Sequence, residues 1–195
     1  HIYAGTDAAT NSARAGEGFW RYCLRAAGGE FVAGLRAENA HRARLAETDK
    51  RSHPYIGYVL GGIGFLVLSY VLLGAKGVAF HLGLAAYAQM QLLLSDYVQH
   101  YGLRRRIRAN GKPEPVGPAH SWYAPKWYSS AMMLNAPRHS DHHMRPAKPF
   151  PTLTVEPEEM PMLPHSLPVM AVVALVPPLW RRVMDRRVAK WQIPA

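Results

Sequence analysis

The chain has 195 residues, enough for one domain with a sizeable core, and a formal net charge of +10. Such a charge favours an anionic partner, either nucleic acid or an anionic membrane surface. The basic residues form short runs beside apolar stretches, at 104–106 and 181–187, which favours lipid headgroups, and the sequence contains no nucleic-acid-binding motif. With Cys23 as its single cysteine, the chain has neither an intrachain disulfide nor a thiolate metal cage.

The first predicted helix covers about residues 16–44. Aromatic and aliphatic side chains such as Phe19, Trp20 and Leu24 are interspersed there with arginines. This pattern is typical of a basic amphipathic helix that lies in the membrane interface. An ordinary surface helix on a soluble core has a similar pattern and is the alternative.

Two apolar runs predict a pair of membrane spans, at about 55–73 and 77–97. The first run carries no charged residue and is about nineteen residues long, enough to cross the hydrocarbon. A short break at 74–77 separates the runs and predicts a helical hairpin. Lys and Arg flank the outer ends of this hairpin, so the positive-inside rule places both ends in the cytoplasm.

The remaining chain predicts a loop rich in proline and glycine at 110–127 and a last helix at about 166–190. Pro177 and Pro178 interrupt its apolar part, which favours an interfacial or buried helix rather than a span. The arginines at 181–187 would then lie at anionic headgroups. The predicted fold class is all-α, an integral membrane helical bundle.

Three histidines, His139, His142 and His143, stand at positions i, i+3 and i+4, which places them on one face of a helix. Packing gives no reason to gather polar rings there, and neutral imidazole is the commonest metal ligand. His100 follows the second apolar run and would lie at the membrane end of another helix. Together they predict a histidine-rich metal site on the cytoplasmic side; a run of surface histidines is the alternative.

Spacing alone does not choose the metal, because imidazole suits zinc, copper, iron and nickel. Asp141 lies inside the cluster and either orients a ligand ring or remains a solvated carboxylate. His120 is a candidate to support the site from its loop. His81, inside a predicted span, is either a buried hydrogen-bonded residue or a further ligand.

The stretches His-Ser-Asp-His-His at 139–143, His-Tyr-Gly-Leu at 100–103 and Pro-Pro-Leu-Trp-Arg-Arg-Val-Met-Asp at 177–185 resemble the membrane-bound alkane 1-monooxygenases. These belong to the integral-membrane fatty acid desaturase and hydroxylase superfamily. The resemblance covers nearly the whole chain. It implies an oxidoreductase whose histidines hold two iron ions, which activate O2 and insert one oxygen atom at the terminal carbon of an alkane. It also implies a rubredoxin-type electron donor.

The resemblance implies the metal ligands and gives no catalytic residue beyond them; they are His1, His100, His139, His142 and His143. Asp96 and Gln99 stand where the motif around His100 has Asn and Glu, and Gln99 could support a ligand ring only through a neutral amide. Asp96, Gln99 and Asp141 are the predicted supporting residues. Because the motifs expected before His1 are missing, we expect the chain to be the C-terminal half of the enzyme and inactive alone.

Two rival functions remain open. Another member of the same superfamily would hydroxylate or desaturate a fatty acyl chain, or hydroxylate an aromatic methyl group. A non-catalytic membrane protein would bind zinc or copper with the same histidines. For all of these we expect an integral membrane protein, and for the enzyme the bacterial inner membrane, with membrane lipid and a hydrophobic substrate as partners.

Overall fold

The computed structural model describes residues 5–6, 9–45, 52–124, 126–154 and 160–191. Two 3₁₀ turns, Pro118–His120 and Phe150–Thr152, accompany the α-helices. Among the described residues there is no β-strand, and two isolated bridges are present. The predicted all-α class is confirmed. The α-helices are α1 (Phe19–Arg42), α2 (Pro54–His100), α3 (Trp127–Met132), α4 (His139–Met144), α5 (Leu167–Ala174) and α6 (Pro177–Trp191).

The chain divides into two compact units, one of His1–Ala26 with Leu93–Ala195 and one of Ala27–Leu92. The first unit has a core of aromatic rings that includes Tyr97, Tyr101 and Trp180, all fully buried. Their ring centroids lie 5.3 Å apart in each pair. The phenol of Tyr101 donates a 2.6 Å hydrogen bond to Asp185, so this polar end of a buried ring is satisfied.

The C-terminal helix α6 packs against the end of α2. Trp180, Met184 and Val188, spaced four residues apart, form its buried face. Gly102 adopts a φ of 71°, and a Cβ atom there would lie 2.6 Å from Cγ1 of Val188. Only glycine permits both this backbone conformation and this close approach.

The predicted helix at 166–190 is in fact two helices, α5 and α6. Pro177 is the first residue of α6, where its fixed φ and missing N–H are tolerated. It cannot continue α5, so the chain turns at 175–176. Arg181, Arg182 and Arg186 are exposed on α6, and their predicted contact with anionic lipid stays a prediction.

The long helix α2 reverses direction at Gly74. This residue has φ 64° and ψ −159°, outside the helical region, and the chain is helical on both sides of it. Nδ1 of His81 lies 3.0 Å from Oγ of Ser69, although twelve residues along a straight helix span about 18 Å. The chain therefore folds back on itself, and the turn predicted at 74–77 is reduced to one non-helical glycine.

The contact between His81 and Ser69 also gives His81 a role. The hydroxyl of Ser69 donates to the carbonyl oxygen of Phe65 at 2.8 Å. Its single proton is thus used, and His81 donates to Ser69 through Nδ1–H. The sequence left two alternatives for His81, a hydrogen-bonded residue or a metal ligand. The structure shows a hydrogen bond that joins the two limbs of α2.

Among the described residues, α2 is the one helix that is long and apolar enough to cross a membrane, judged by length and composition. The large side chains of its apolar stretch are exposed, with Leu73 at 69% and Phe80 at 70%. Contiguous apolar surface of this kind marks a membrane or protein contact. The assignment of the membrane spans to 55–73 and 77–97, and of the interfacial helices to 16–44 and 166–190, stays a prediction.

We predict that Gly77→Ala destabilises the protein. A Cβ atom at Gly77 would overlap the side chain of Leu73 and lie 2.6 Å from the carbonyl oxygen of Ser69. Overpacking of this kind costs about 1–3 kcal/mol. Denaturant titration in detergent micelles would measure the decrease in the free energy of unfolding. Gly83→Ala is the matched control, because a Cβ atom there meets nothing within 4 Å. Equal stability of the two variants would contradict the close approach.

Candidate metal centre

Three histidine side chains meet where α2 ends and α4 begins. His100 is the last residue of α2, and His139 and His143 lie one turn apart on α4. The Nε2 atom of His100 is 3.1 Å from that of His139 and 3.2 Å from that of His143, and the last two are 2.9 Å apart. Within the described part of the chain, these residues form a group whose ligand atoms converge as around an ion. We call it the histidine triad.

The triad has the dimensions of a metal site. Two nitrogen atoms bonded to one ion at about 2.1 Å and about 90° apart lie about 3 Å from each other. The three Nε2–Nε2 distances, 2.9 to 3.2 Å, match this separation. Three imidazole nitrogens directed at one point therefore fit an ion that prefers nitrogen ligands, such as iron, zinc, copper or nickel.

Burial keeps the triad neutral. It lowers the pKa of His100 to about 4 and that of His143 to about 3. The pKa of His139 is also lowered well below its usual value, first by burial and then by the neighbouring imidazoles. Near pH 7 all three rings carry lone pairs rather than extra protons, which is the state that binds a metal ion.

The loop after α2 holds His100 in place. The Nδ1 atom of His100 lies 3.4 Å from the carbonyl oxygen of His120, and a proton on Nδ1 leaves the Nε2 lone pair free for a metal. The backbone N–H of Trp122 donates to the carbonyl of Gln99 at 2.7 Å, and its indole N–H donates to that of Tyr101 at 2.8 Å. Carbonyl groups at a helix end lack partners within the helix, so Trp122 fastens the loop to the end of α2.

The same loop also positions α4. Oγ of Ser140 lies 3.1 Å from the carbonyl oxygens of both Pro118 and Ser121, and its hydroxyl can donate to either. A helix of six residues is too short to be stable by itself. The two ligands on α4, His139 and His143, are thus held against His100 by a serine that lies between them in sequence.

Asp141 anchors the segment after α4. Its carboxylate accepts hydrogen bonds from Nζ of Lys148 at 2.7 Å and from the backbone N–H of Thr154 at 2.8 Å. Burial alone would raise the pKa of Asp141, but these bonds keep it below its usual value. The bonds described for Asp141 go to this segment, and its predicted role in orienting a histidine ring stays a prediction.

One predicted ligand, His142, lies outside the triad. The ring of His142 stacks on Phe150, with centroids 4.7 Å apart and planes 24° from parallel. Its centroid is 6.0 Å from those of His139 and His143. His1 lies outside the described residues. The ligand roles of His142 and His1 stay predictions.

The predicted supporting residues on α2 lie in its last turn, which ends at His100. Asp96 is half-buried one turn before His100, on the same side of the helix. Gln99 is buried, and its side-chain amide donates to the carbonyl oxygen of Ala136 at 3.2 Å. This contact reaches the turn that leads into α4 rather than a ligand ring.

His120 contacts His100 through its main-chain oxygen and not through its ring. Its ring faces away from the triad: Nδ1 accepts from the N–H of Gly117 at 2.8 Å, and Nε2 lies 3.0 Å from the carboxylate of Glu114. The support for His100 comes from the main-chain oxygen. Trp122 and Ser140 were missed, and nothing in their local sequence marks them as partners of a helix end or of a loop.

Comparison with known proteins connects this geometry to a family. The model of the fatty acid desaturase family matches residues 1–173. Alkane 1-monooxygenase 2 of Alcanivorax borkumensis is 31% identical over 189 residues, which cover 96% of this chain and 49% of that protein. Alkane 1-monooxygenase 1 of Pseudomonas aeruginosa is 32% identical over 195 residues, again 96% and 49%.

A third relative, the alkane 1-monooxygenase of Acinetobacter baylyi, is 31% identical over 192 residues, which cover 96% of this chain and 46% of that protein. The chain spans about half the length of the curated relatives it matches. These matches and the apolar helix α2 support a membrane location. They also agree with the resemblance that the histidine motifs indicated.

We predict that the triad binds one divalent ion. We also predict that His143, a member of the triad, contributes more to the affinity for this ion than His142, which lies outside it. In the detergent-solubilised chain, His143→Ala should weaken Co²⁺ binding more than about tenfold, since it removes a direct ligand. His142→Ala should weaken it less, because that ring stacks on Phe150. Titration followed by visible absorption measures both. His165→Ala, at an exposed position, is the control, and equal losses in the His142 and His143 variants would contradict the triad.

Proposed function

The chain belongs to the fatty acid desaturase family, and from this membership we propose that it is part of a membrane monooxygenase that hydroxylates the terminal carbon of alkanes. The observation that carries the proposal is the histidine triad at the end of an exposed apolar helix, with Nε2 atoms 2.9 to 3.2 Å apart. The alkane 1-monooxygenases among the relatives support the substrate class.

The proposed cofactor is a pair of non-haem iron ions. The triad of His100, His139 and His143 would hold one ion. His142 and His1 would contribute to the second, together with residues from the part of the relatives' length that the match does not cover. When bound, the iron pair supplies the redox chemistry that activates O2; zinc, which has no redox chemistry, would not.

The described residues have a positioning role in this reaction. Burial keeps the imidazoles neutral, so they bind the metal at physiological pH. The carbonyl of His120 orients His100, and Ser140 sets α4 against the loop. Well-placed ligands matter because a metal site tolerates little displacement of its ligands.

The proposed partners follow from the reaction. Hydroxylation of an alkane by O2 leaves the second oxygen atom as water and consumes two electrons, which a rubredoxin-type donor would supply. A hydrophobic substrate would reach the site from the lipid phase. A fatty acyl chain is the alternative substrate, since the family is that of the fatty acid desaturases.

We predict that the metal centre lies on the cytoplasmic side of the bacterial inner membrane. The two limbs of α2 reverse at Gly74, and Lys and Arg flank their outer ends. Alkaline phosphatase fused at Lys76 should be active, and the same enzyme fused after Arg108 should not, because it folds only outside the cytoplasm. Fluorescent protein fusions should give the opposite pattern. Activity of alkaline phosphatase at both positions would contradict a membrane hairpin.

The activity itself is tested with the full-length protein. We expect it to contain iron and to convert a medium-chain alkane to the 1-alcohol with reduced rubredoxin. The 195-residue chain alone should not, and co-expression of the upstream part should restore turnover. His143→Ala should abolish most activity, whereas His165→Ala should retain it. Iron-free protein, or normal turnover by the His143 variant, would refute the proposal.

A further inference from the structure

We propose that Gln99 is a positioning residue of the metal centre, and that it acts as a hydrogen-bond donor which a carboxylate cannot replace. Gln99 directly precedes His100 in the last turn of α2 and is 3% exposed. Its Nε2 donates to the carbonyl oxygen of Ala136 at 3.2 Å. Its Oε1 accepts from the hydroxyl of Ser95 at 3.0 Å.

These contacts fix which way the amide points. A backbone carbonyl accepts and never donates, so the NH2 group of Gln99 must face Ala136. The hydroxyl of Ser95 can donate, and it does so to the remaining amide oxygen. Both ends of the buried amide are thereby satisfied, as a buried polar group requires.

Through Ala136, Gln99 contacts the turn that precedes α4, the helix that carries His139 and His143. Ala136 lies three residues before His139, in a turn closed by its N–H donating to Met133 at 2.9 Å. The main-chain carbonyl of Gln99 meanwhile accepts from Trp122, in the loop that orients His100. One residue therefore joins the end of α2 to both segments that carry or orient the triad.

An ionised glutamate at this position would keep the acceptor for Ser95 but lose the donor for Ala136. Its second oxygen would face the carbonyl oxygen of Ala136 at this part-buried contact, and two acceptors repel each other. The turn before α4 would move away from α2. His139 and His143 would move with it, and their Nε2 separations from that of His100, 3.1 and 3.2 Å, would widen.

This inference rests on the proposed metal centre and assigns a cause to its geometry. The resemblance described under Sequence analysis implies only that Gln99 departs from a motif with glutamate. In the structure, the hydrogen bonds to Ser95 and Ala136 require a neutral amide at this position. Metal affinity and ligand geometry should therefore depend on the donor of Gln99 more than on its size or its contact with Ser95.

The test compares Gln99→Glu, Gln99→Met and Ser95→Ala in the full-length protein. Co²⁺ affinity and the visible ligand-field spectrum of the Co²⁺ form report the metal geometry. The rate of iron loss to a chelator reports retention, and thermal unfolding is followed in parallel. We expect Gln99→Glu to weaken Co²⁺ binding about tenfold or more and to shift the spectrum. Gln99→Met, which lacks the donor but adds no charge, should show a smaller effect, and Ser95→Ala should resemble the wild type.

The outcomes separate this inference from the proposed function. If the wild type binds Co²⁺ and Gln99→Glu matches it in affinity, spectrum and iron loss, the inference is wrong while the metal centre stands. If Gln99→Glu does not fold, Gln99→Met decides: wild-type affinity and spectrum in that variant would overturn the inference. A spectrum disturbed equally by Ser95→Ala would also overturn it. A wild type that binds neither iron nor Co²⁺ would refute the metal centre and this inference together.

Discussion

The metal centre depends on how the C-terminal end of α2 is capped. Backbone carbonyls at a helix end need partners from elsewhere, and Trp122 supplies two, through its main-chain N–H to Gln99 and its indole N–H to Tyr101. Trp122 is itself almost fully buried. The loop it fixes carries the carbonyl of His120 toward His100 and those of Pro118 and Ser121 toward Ser140. One capping arrangement thus sets the separation of ligands about forty residues apart in sequence.

The last turns of α2 serve the core and the site on different faces. Tyr97 and Tyr101, four residues apart, lie among the buried aromatic rings of the first unit. Asp96 and His100, also four residues apart, are offset from them by about 100° around the helix. Because the tyrosines are locked by packing and by the bond from Tyr101 to Asp185, the helix cannot rotate without disturbing the core. The direction of the His100 ring follows from that packing.

Regular helix spacing was enough for the sequence to predict much of this protein. The exposed apolar limbs of α2, the break at Gly74 and the pairing of His139 with His143 are local patterns, and the residues that produce each pattern are neighbours in the chain. The all-α class follows from them. The i, i+4 pair of imidazoles by itself indicates a metal site, and the family was indicated by the resemblance of the stretches at 100–103, 139–143 and 177–185.

Tertiary structure alone decided which histidines meet and what holds them. Neighbouring helix residues point about 100° apart, and in the fold it is His143 whose ring meets His100, whereas the ring of His142 stacks on Phe150. Partners of Gln99 and Asp141 lie on loop segments, 37 residues along the chain for Gln99 and 7 and 13 residues for Asp141. Such contacts depend on which backbone groups remain unpaired after the helices form, a property of the folded chain that local sequence does not contain.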